Sequence, residues 1–394
     1  MAARILVLHP VLGTGGGSRW SLQAAEALAA RGHDVTWVTS APRGRAPEWR
    51  ELAIGAFRRE YVAQAWPESV ADRGRAFLAN RRMSRLIDWC EANVPASDAV
   101  LMDGVPFAIP RARAAFSRSR IVFYCHFPEM LYAKREAWYL RWHRRHWIRS
   151  EREGLGAADC VLANSHYTLD RLLAQFPELA SRAAICRPAV ATIAVRAKTE
   201  TPRHVLCVAR WAPEKNLPLA VRAFAAYRTR ASAAGATPLP LVIAGGFDAA
   251  SRAAHKTFAA VEDEIRRAGF GQDSFRLLRD PSDPQLDELY RGALALVHPA
   301  PQEHFGMIAP EAMARGVPVI GIAGRGGGES VSDGDTGWLV APDAAEIADR
   351  LVRLQVDASV RVRFGIAARR HAERFLIDRV GADLEAALFP PLPA

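Results

Sequence analysis

Apolar residues along this chain arrive in short bursts, and what lies between the bursts sets the architecture. Ile5–His9 reads as a buried strand. Ser18–Ala30 follows with helical period and stops at Gly32, and Val35–Thr39 is the next strand. Further strands are expected at Ala99–Met102, Ile121–Cys125 and Cys160–Ala163. The pattern restarts at His204–Ala209 and continues near Leu241–Ala244, Phe275–Leu278, Leu294–Val297 and Val317–Ile320. Short apolar strands alternating with amphipathic helices predict doubly wound parallel sheets, an α/β class. A chain of 394 residues is too long for one core. The stretch 196–203 is polar and without period, so it is the expected linker between a domain over 1–195 and a second beginning at 204. Two such domains imply a cleft, with ligands at the carboxyl ends of the strands.

Composition narrows the setting. Half the residues are hydrophobic and 24% are charged, ordinary for a globular chain. No apolar run approaches the roughly 20 residues of a membrane span, and the run at Ile5–Leu8 is too short for a signal peptide. Five scattered cysteines without a C-x-x-C pair read as reduced core thiols in the cytoplasm, not as a disulfide framework or zinc site. The net charge is +10, and residues 1–190 carry nine of those ten. A basic first half suits nucleic acid, an anionic membrane surface or a phosphorylated acceptor. A general bias toward arginine and alanine is the competing explanation.

Candidate chemistry sits at the strand ends. Gly13-Thr14-Gly15-Gly16-Gly17-Ser18 follows the first strand and opens the first helix, where glycines let a backbone approach a phosphate or sugar. A dinucleotide fingerprint is not met, because Ser18 holds the third glycine position and the second strand closes as Val38-Thr39-Ser40 without an acid. His126 ends a strand and is followed within reach by Lys134 and Arg135. In the second half, Arg210 and Lys215 follow the first strand and suit a diphosphate, the arginine chelating and the lysine acting as a mobile charge. Glu303 and Glu311 flank Gly306, Met307 and Ile308, whose N–H groups would open a helix over Ala309–Arg315, with Pro310 in its first turn and Gly316 past its end. That is an anion site between two carboxylates, a combination that fits a ligand bearing both phosphates and hydroxyls.

Two other segments are weaker. In Trp138–Leu155 a helical projection puts Leu140, Trp147, Ile148 and Leu155 on one face. Trp138, Trp142 and His146 share the other with Arg145 and Arg149. The basic aromatic face suits a membrane interface or lipid-phosphate acceptor, unless it packs against a neighbouring element. Asp333-Gly334-Asp335 has a D-x-D spacing but follows no apolar strand, so a turn is expected and no metal.

Taken in order, these residues resemble glycosyltransferase family 4, retaining enzymes of the GT-B fold. The Glu303–Glu311 segment, the Arg210/Lys215 pair, Gly15-Gly16 and Asp335-Thr336-Gly337-Trp338-Leu339-Val340 carry the likeness over nearly the whole chain. Within the family the sequence looks most like the alpha-1,3/1,6-mannosyltransferases of dolichol-linked oligosaccharide assembly. The carriers here are His9-Pro10, Phe123-Tyr124-Cys125-His126-Phe127-Pro128, Lys134-Arg135, Ala163-Asn164-Ser165, Ala244-Gly245-Gly246-Phe247-Asp248 and Glu303-His304-Phe305-Gly306.

The resemblance implies two Rossmann-like domains facing across a cleft: an acceptor-side domain over 1–195, a nucleotide-sugar domain over 204–369, and a helix in 370–394 crossing back to the first. It implies that Arg210 and Lys215 hold the donor diphosphate, Glu311 the ribose, and Glu303 with Gly306, Met307 and Ile308 the donor sugar. His126 would touch the donor sugar, and Gly15 and Gly16 would frame donor and acceptor. The base pocket is expected near Arg279, and Lys134, Arg135, Trp138, Trp142 and Arg145 on the acceptor or membrane side. No metal or other cofactor is expected. The expected reaction moves mannose from GDP-mannose onto a polyprenyl-diphosphate-linked or other glycan, in the cytoplasm or on a membrane's cytoplasmic face. A UDP-sugar donor for exopolysaccharide or glycolipid synthesis is the alternative, and a non-catalytic nucleic-acid binder the remote one. Two positions depart from the mannosyltransferase pattern: Val11 and Ser18 stand where it has acidic residues, both on the acceptor side.

Overall fold

The computed structural model describes residues 2–11, 16–42, 57–64, 75–132, 140–190, 201–324 and 327–390. They form two compact units, Met1–Ala189 with Leu376–Ala394, and Val190–Phe375.

The first unit is built on seven strands: β1 (Arg4–His9), β2 (Asp34–Pro42), β3 (Arg58–Gln64), β4 (Ala99–Asp103), β5 (Arg120–Cys125), β6 (Cys160–Ala163) and β7 (Ala183–Ile185). They lie in the order β3-β2-β1-β4-β5-β6-β7. The second unit holds β8 (His204–Val208), β9 (Leu241–Gly245), β10 (Phe275–Arg279), β11 (Ala293–His298), β12 (Val319–Ile322) and β13 (Gly337–Val340), in the order β10-β9-β8-β11-β12-β13. Every pairing is parallel. Strands β4, β8, β9 and β11 are buried at every residue, because helices cover both faces of a parallel sheet. That is why they read as unbroken apolar runs.

Three strands have no counterpart in the sequence reading, and all are edge strands: β3, β7 and β13. Poor cover at an edge is not the cause for β13, which is buried at three of its four residues but offers an apolar run of only three. β3 reads Arg-Arg-Glu-Tyr-Val-Ala-Gln, and β7 is three residues long. β12 begins at Val319, two residues later than expected.

Order reverses between β1 and β4 in one sheet and between β8 and β11 in the other. These switch points are where a doubly wound sheet opens a crevice at its strands' carboxyl ends.

The chain changes units earlier and later than the periodicity predicts. Val190 is buried and donates its N–H to the Phe375 carbonyl (2.7 Å), so the second unit starts before 204 and runs past 369. Of the expected linker, 196–200 lie outside the described residues, and Arg203 N–H is bound to the Gly292 carbonyl. The final helical stretch is divided. Ala358–Ala372 and the turn Glu373–Phe375 stay in the second unit, while Ile377–Leu388 packs on the helix Gly16–Ala30 of the first. There Arg31 and His33 both reach Glu385. The five cysteines are buried thiols, and burial pushes Cys90 and Cys207 up to about 12.

Candidate active site

Each switch point carries a carboxylate held between basic side chains. In the first unit, Asp103 ends β4 beside His9 at the end of β1, and His126 follows β5. Asp103 is 1% exposed. Its Oδ1 lies 2.8 Å from His9 Nδ1 and its Oδ2 2.8 Å from His126 Nε2. Burial pushes its carboxyl up, but charge and hydrogen bonds from His9 and His126 outweigh this and hold it below the ordinary range.

An ionised carboxylate only accepts, so both imidazole nitrogens facing it donate. A neutral His9 then offers Nε2 as an acceptor to the Ser18 hydroxyl, 2.9 Å away. A neutral His126 is left with a bare Nδ1. His126 is held on other sides too. Its ring meets Trp20 and Tyr124 edge-on, those two being stacked at 3.6 Å, and its carbonyl accepts from Asn164 Nδ2 at 2.8 Å. A side chain at Gly17 would meet both imidazoles, with His126 Nε2 only 3.5 Å from the added carbon.

In the second unit, Glu303 follows β11. Lys215 Nζ lies 2.5 Å from its Oε2, and His298 Nε2 at the end of β11 lies 3.4 Å from the same oxygen. Burial again raises the carboxyl, and His298 and Lys215 together depress it well below the ordinary range. Gly306 folds over this pair at φ +77°. A Cβ there would sit 3.0 Å from Glu303 Cγ and 3.4 Å from His298 Nε2, so only glycine fits. The helix Ile308–Ala314 starts next, its Ala309 N–H bound to the Gly306 carbonyl. Glu311, in the first turn, accepts from the buried Tyr290 hydroxyl at 3.0 Å. Arg315 stacks on the Tyr290 ring and donates to the Glu311 carbonyl.

The loops after β8, β9 and β10 are tied together. Trp211 N–H donates to the Gly246 carbonyl and Asp280 N–H to the Gly245 carbonyl, both at 3.0 Å. Gly245, at φ +152°, passes so close to Ala209 that a Cβ would overlap its carbonyl. Arg210 is therefore carried on a braced loop, with its exposed guanidinium 3.1 Å from Glu214. Arg279 lies over the Phe247 and Phe258 rings at 5.0 and 5.1 Å.

Lys215, Glu303, Gly306, Met307, Ile308 and Glu311 thus gather around the β8/β11 switch point, with Arg210 on the adjoining loop. Gly16 opens the first helix. Gly15, Lys134, Arg135 and Trp138 lie outside the described residues, as does the side chain of Trp142. Arg145 is exposed on the helix Leu140–Gly156, whose Leu155 is buried and whose Trp147 meets Phe107. Asp333–Asp335 forms a turn, with Gly334 at φ +75°. Among the described residues no cluster of His, Cys, Asp or Glu is arranged for a metal, and no helix is long and apolar enough to cross a membrane.

Asp103, His9 and His298 are the residues that sequence reasoning did not place in a site. Each ends an apolar strand with a polar side chain, the same signal that singled out His126.

Two doubly wound units of this kind define the class: the chain has the GT-B fold. Solved structures share the fold: sucrose-phosphate synthase from Thermosynechococcus elongatus (TM-score 0.76, 20% identity, 97% of each chain), an E. coli trehalose-6-phosphate protein bound with UDP-2-fluoro glucose (0.77, 14%, 100% of each), and Anabaena HepE in complex with UDP (0.70, 16%, 98% and 99%). Residues 14–192 match the model for Glycosyltransferase Family 4 and residues 191–371 that for glycosyl transferases group 1. The human alpha-1,3/1,6-mannosyltransferase ALG2 is 30% identical over 391 residues, covering 94% of this chain and 92% of that one. The Neurospora crassa protein of the same name is 28% identical over 379 residues, 86% and 79% of the two chains. The chain belongs to the family-4 glycosyltransferases.

Proposed function

We propose that the chain transfers a hexose from a nucleoside diphosphate sugar, with retention at the anomeric carbon, onto a glycan or lipid-diphosphate-linked acceptor. The observation that carries this reading is the half-buried Lys215–Glu303 pair at the β8/β11 switch point, beside a glycine-opened helix and the Arg210 loop. Arg210 and Lys215 are assigned to the diphosphate, Glu311 to the ribose hydroxyls, and Glu303 with Gly306, Met307 and Ile308 to the donor sugar. His126 is assigned to the same sugar, Gly15 and Gly16 to its frame, and the loop at Arg279 to the base. The main catalytic contribution is electrostatic: cations placed before reaction stabilise the departing diphosphate. Lys134, Arg135, Trp138, Trp142 and Arg145 are assigned to the acceptor side, which a basic first unit would bring to an anionic membrane surface.

Support for the donor divides. The ligand-bound structures of the same fold carry UDP or a UDP-sugar analogue, which favours a UDP-sugar and exopolysaccharide or glycolipid synthesis. The curated relatives are named as mannosyltransferases, which favours mannose from GDP-mannose. Calorimetric titration with UDP, GDP and ADP in parallel separates them. UDP binding tighter keeps the first donor, GDP tighter selects the second, and binding of none removes the donor site altogether. In the same assay His126→Ala is expected to lower turnover with nucleotide affinity nearly unchanged; equal losses in both would take His126 away from the sugar.

A further inference from the structure

Lys215 is asked to serve two anions. In the structure its ammonium is bound to Glu303 at 2.5 Å, yet the donor reading above, on which this inference rests, also assigns it to the diphosphate. Glu303 is 14% exposed; the His304 N–H reaches its Oε1 at 3.3 Å, and the Oε2 that Lys215 now neutralises still calls for a cation or hydrogen-bond donor. A second partner stands ready on the same oxygen. His298 is 4% exposed and fixed at the end of β11, with Nε2 3.4 Å from Glu303 Oε2. Neither ring nitrogen makes a hydrogen bond among the described residues, Nε2 standing just beyond bonding geometry from Glu303. Facing a carboxylate, Nε2 is the nitrogen that carries the proton, and a closure of about 0.5 Å brings it to ordinary hydrogen-bond length. Lysine, by contrast, is a flexible chain ending in a mobile point charge. Lys215 closes the short turn Pro213–Lys215, just before Asn216 at φ 48°.

We propose that Glu303 changes partners during donor binding: Lys215 turns to the incoming diphosphate, and His298 takes over the carboxylate and keeps it aimed. His298 is a positioning residue, touching Glu303 and not the reacting atoms. The low ionisation range of Glu303 agrees with this, since it stays an acceptor throughout.

The test uses the full chain, with UDP and GDP as probes. Imidazole nitrogen resonances of His298 are followed as nucleotide is added, alongside calorimetric affinities. In the native chain, the Nε2 resonance is expected to shift at saturation. His298→Leu is expected to fold normally, because Lys215 still holds Glu303, but to bind nucleotide at least about tenfold more weakly, the size of one lost hydrogen bond to a charged group. His298→Gln, which keeps a donor near Nε2, is expected to recover most of that loss. Nucleotide binding at native affinity in His298→Leu overturns the exchange, as does tight binding that leaves the His298 resonances unmoved. Both results leave the donor site standing. Binding of neither nucleotide by the native chain overturns the donor reading and the exchange together.

Discussion

Two carboxylates, one in each unit, are held in ways that look alike and differ in one respect. Asp103 and Glu303 both stand at a switch point, both sit between two basic groups, and both are held below the ordinary carboxylate range. Asp103 is held by two rings, each anchored at a strand end: His9 Nδ1 reaches both oxygens at 2.8 and 3.1 Å, and His126 Nε2 reaches Oδ2. Glu303 presents one oxygen to both partners, and one of these is a flexible lysine. Two ring partners fixed at strand ends make a lock; a partner on a flexible chain makes a clasp. Glu129 supplies the contrast. Its buried neighbour is another carboxylate, Glu151, and burial first, then Glu151, push it up to about 7.

The largest effect should come from breaking the lock. Asp103→Ala strands the buried His9 N–H and the partly exposed His126 N–H, and is expected to cost about 3 kcal/mol in denaturant unfolding. A loss under about 1 kcal/mol would show the rings to be held by their aromatic neighbours instead. Opening the clasp should act on catalysis. Lys215→Ala is expected to lower kcat/KM by about 10²–10³-fold, the cost of removing a pre-arranged charge stabiliser. Arg210→Ala should lose less, since its guanidinium is largely exposed and shared with Glu214. Equal losses would place both cations on the phosphate alike.

Glu311→Ala should weaken nucleotide binding by about 1.5–3 kcal/mol, read by calorimetry, and unchanged affinity would remove it from the ribose. The smallest effects are on pH. Asp103 and Glu303 have folded values below their unfolded ones, so their stabilisation is full above about pH 4 and lost as pH falls through the folded values. Glu129 has the opposite sign: its folded value is raised, so stability is lost as pH climbs toward 7. Glu129→Gln is therefore expected to gain about 1–2 kcal/mol at pH 8 and little at pH 4, measured as paired melting curves. An equal gain at both would point to packing, not charge.

Much of this was legible in one dimension. Central strands such as β1, β8 and β11 are covered on both faces, so each announces itself as an apolar run. The Glu303–Glu311 segment was legible for a related reason: a strand stop, a glycine and a helix start are local signals within ten residues. The edge strands β3, β7 and β13 were not: β3 opens on charged residues, and β7 and β13 offer runs of only three apolar residues. Nor was the division at Phe375, where a buried ring ends one unit inside what reads as a single helical stretch.

What the sequence by itself determined is the class and the inventory: doubly wound sheets, two units, and which polar side chains stand at strand ends. Helical and strand periods are short, so a linear chain records them faithfully. Which of those side chains meet was decided only by tertiary structure. His9 and Asp103 are 94 residues apart and touch because β1 and β4 are neighbours in the sheet. Lys215 and Glu303 are 88 apart and touch because β8 lies beside β11. Strand order is set by how whole helices and strands pack, and no local pattern carries that information.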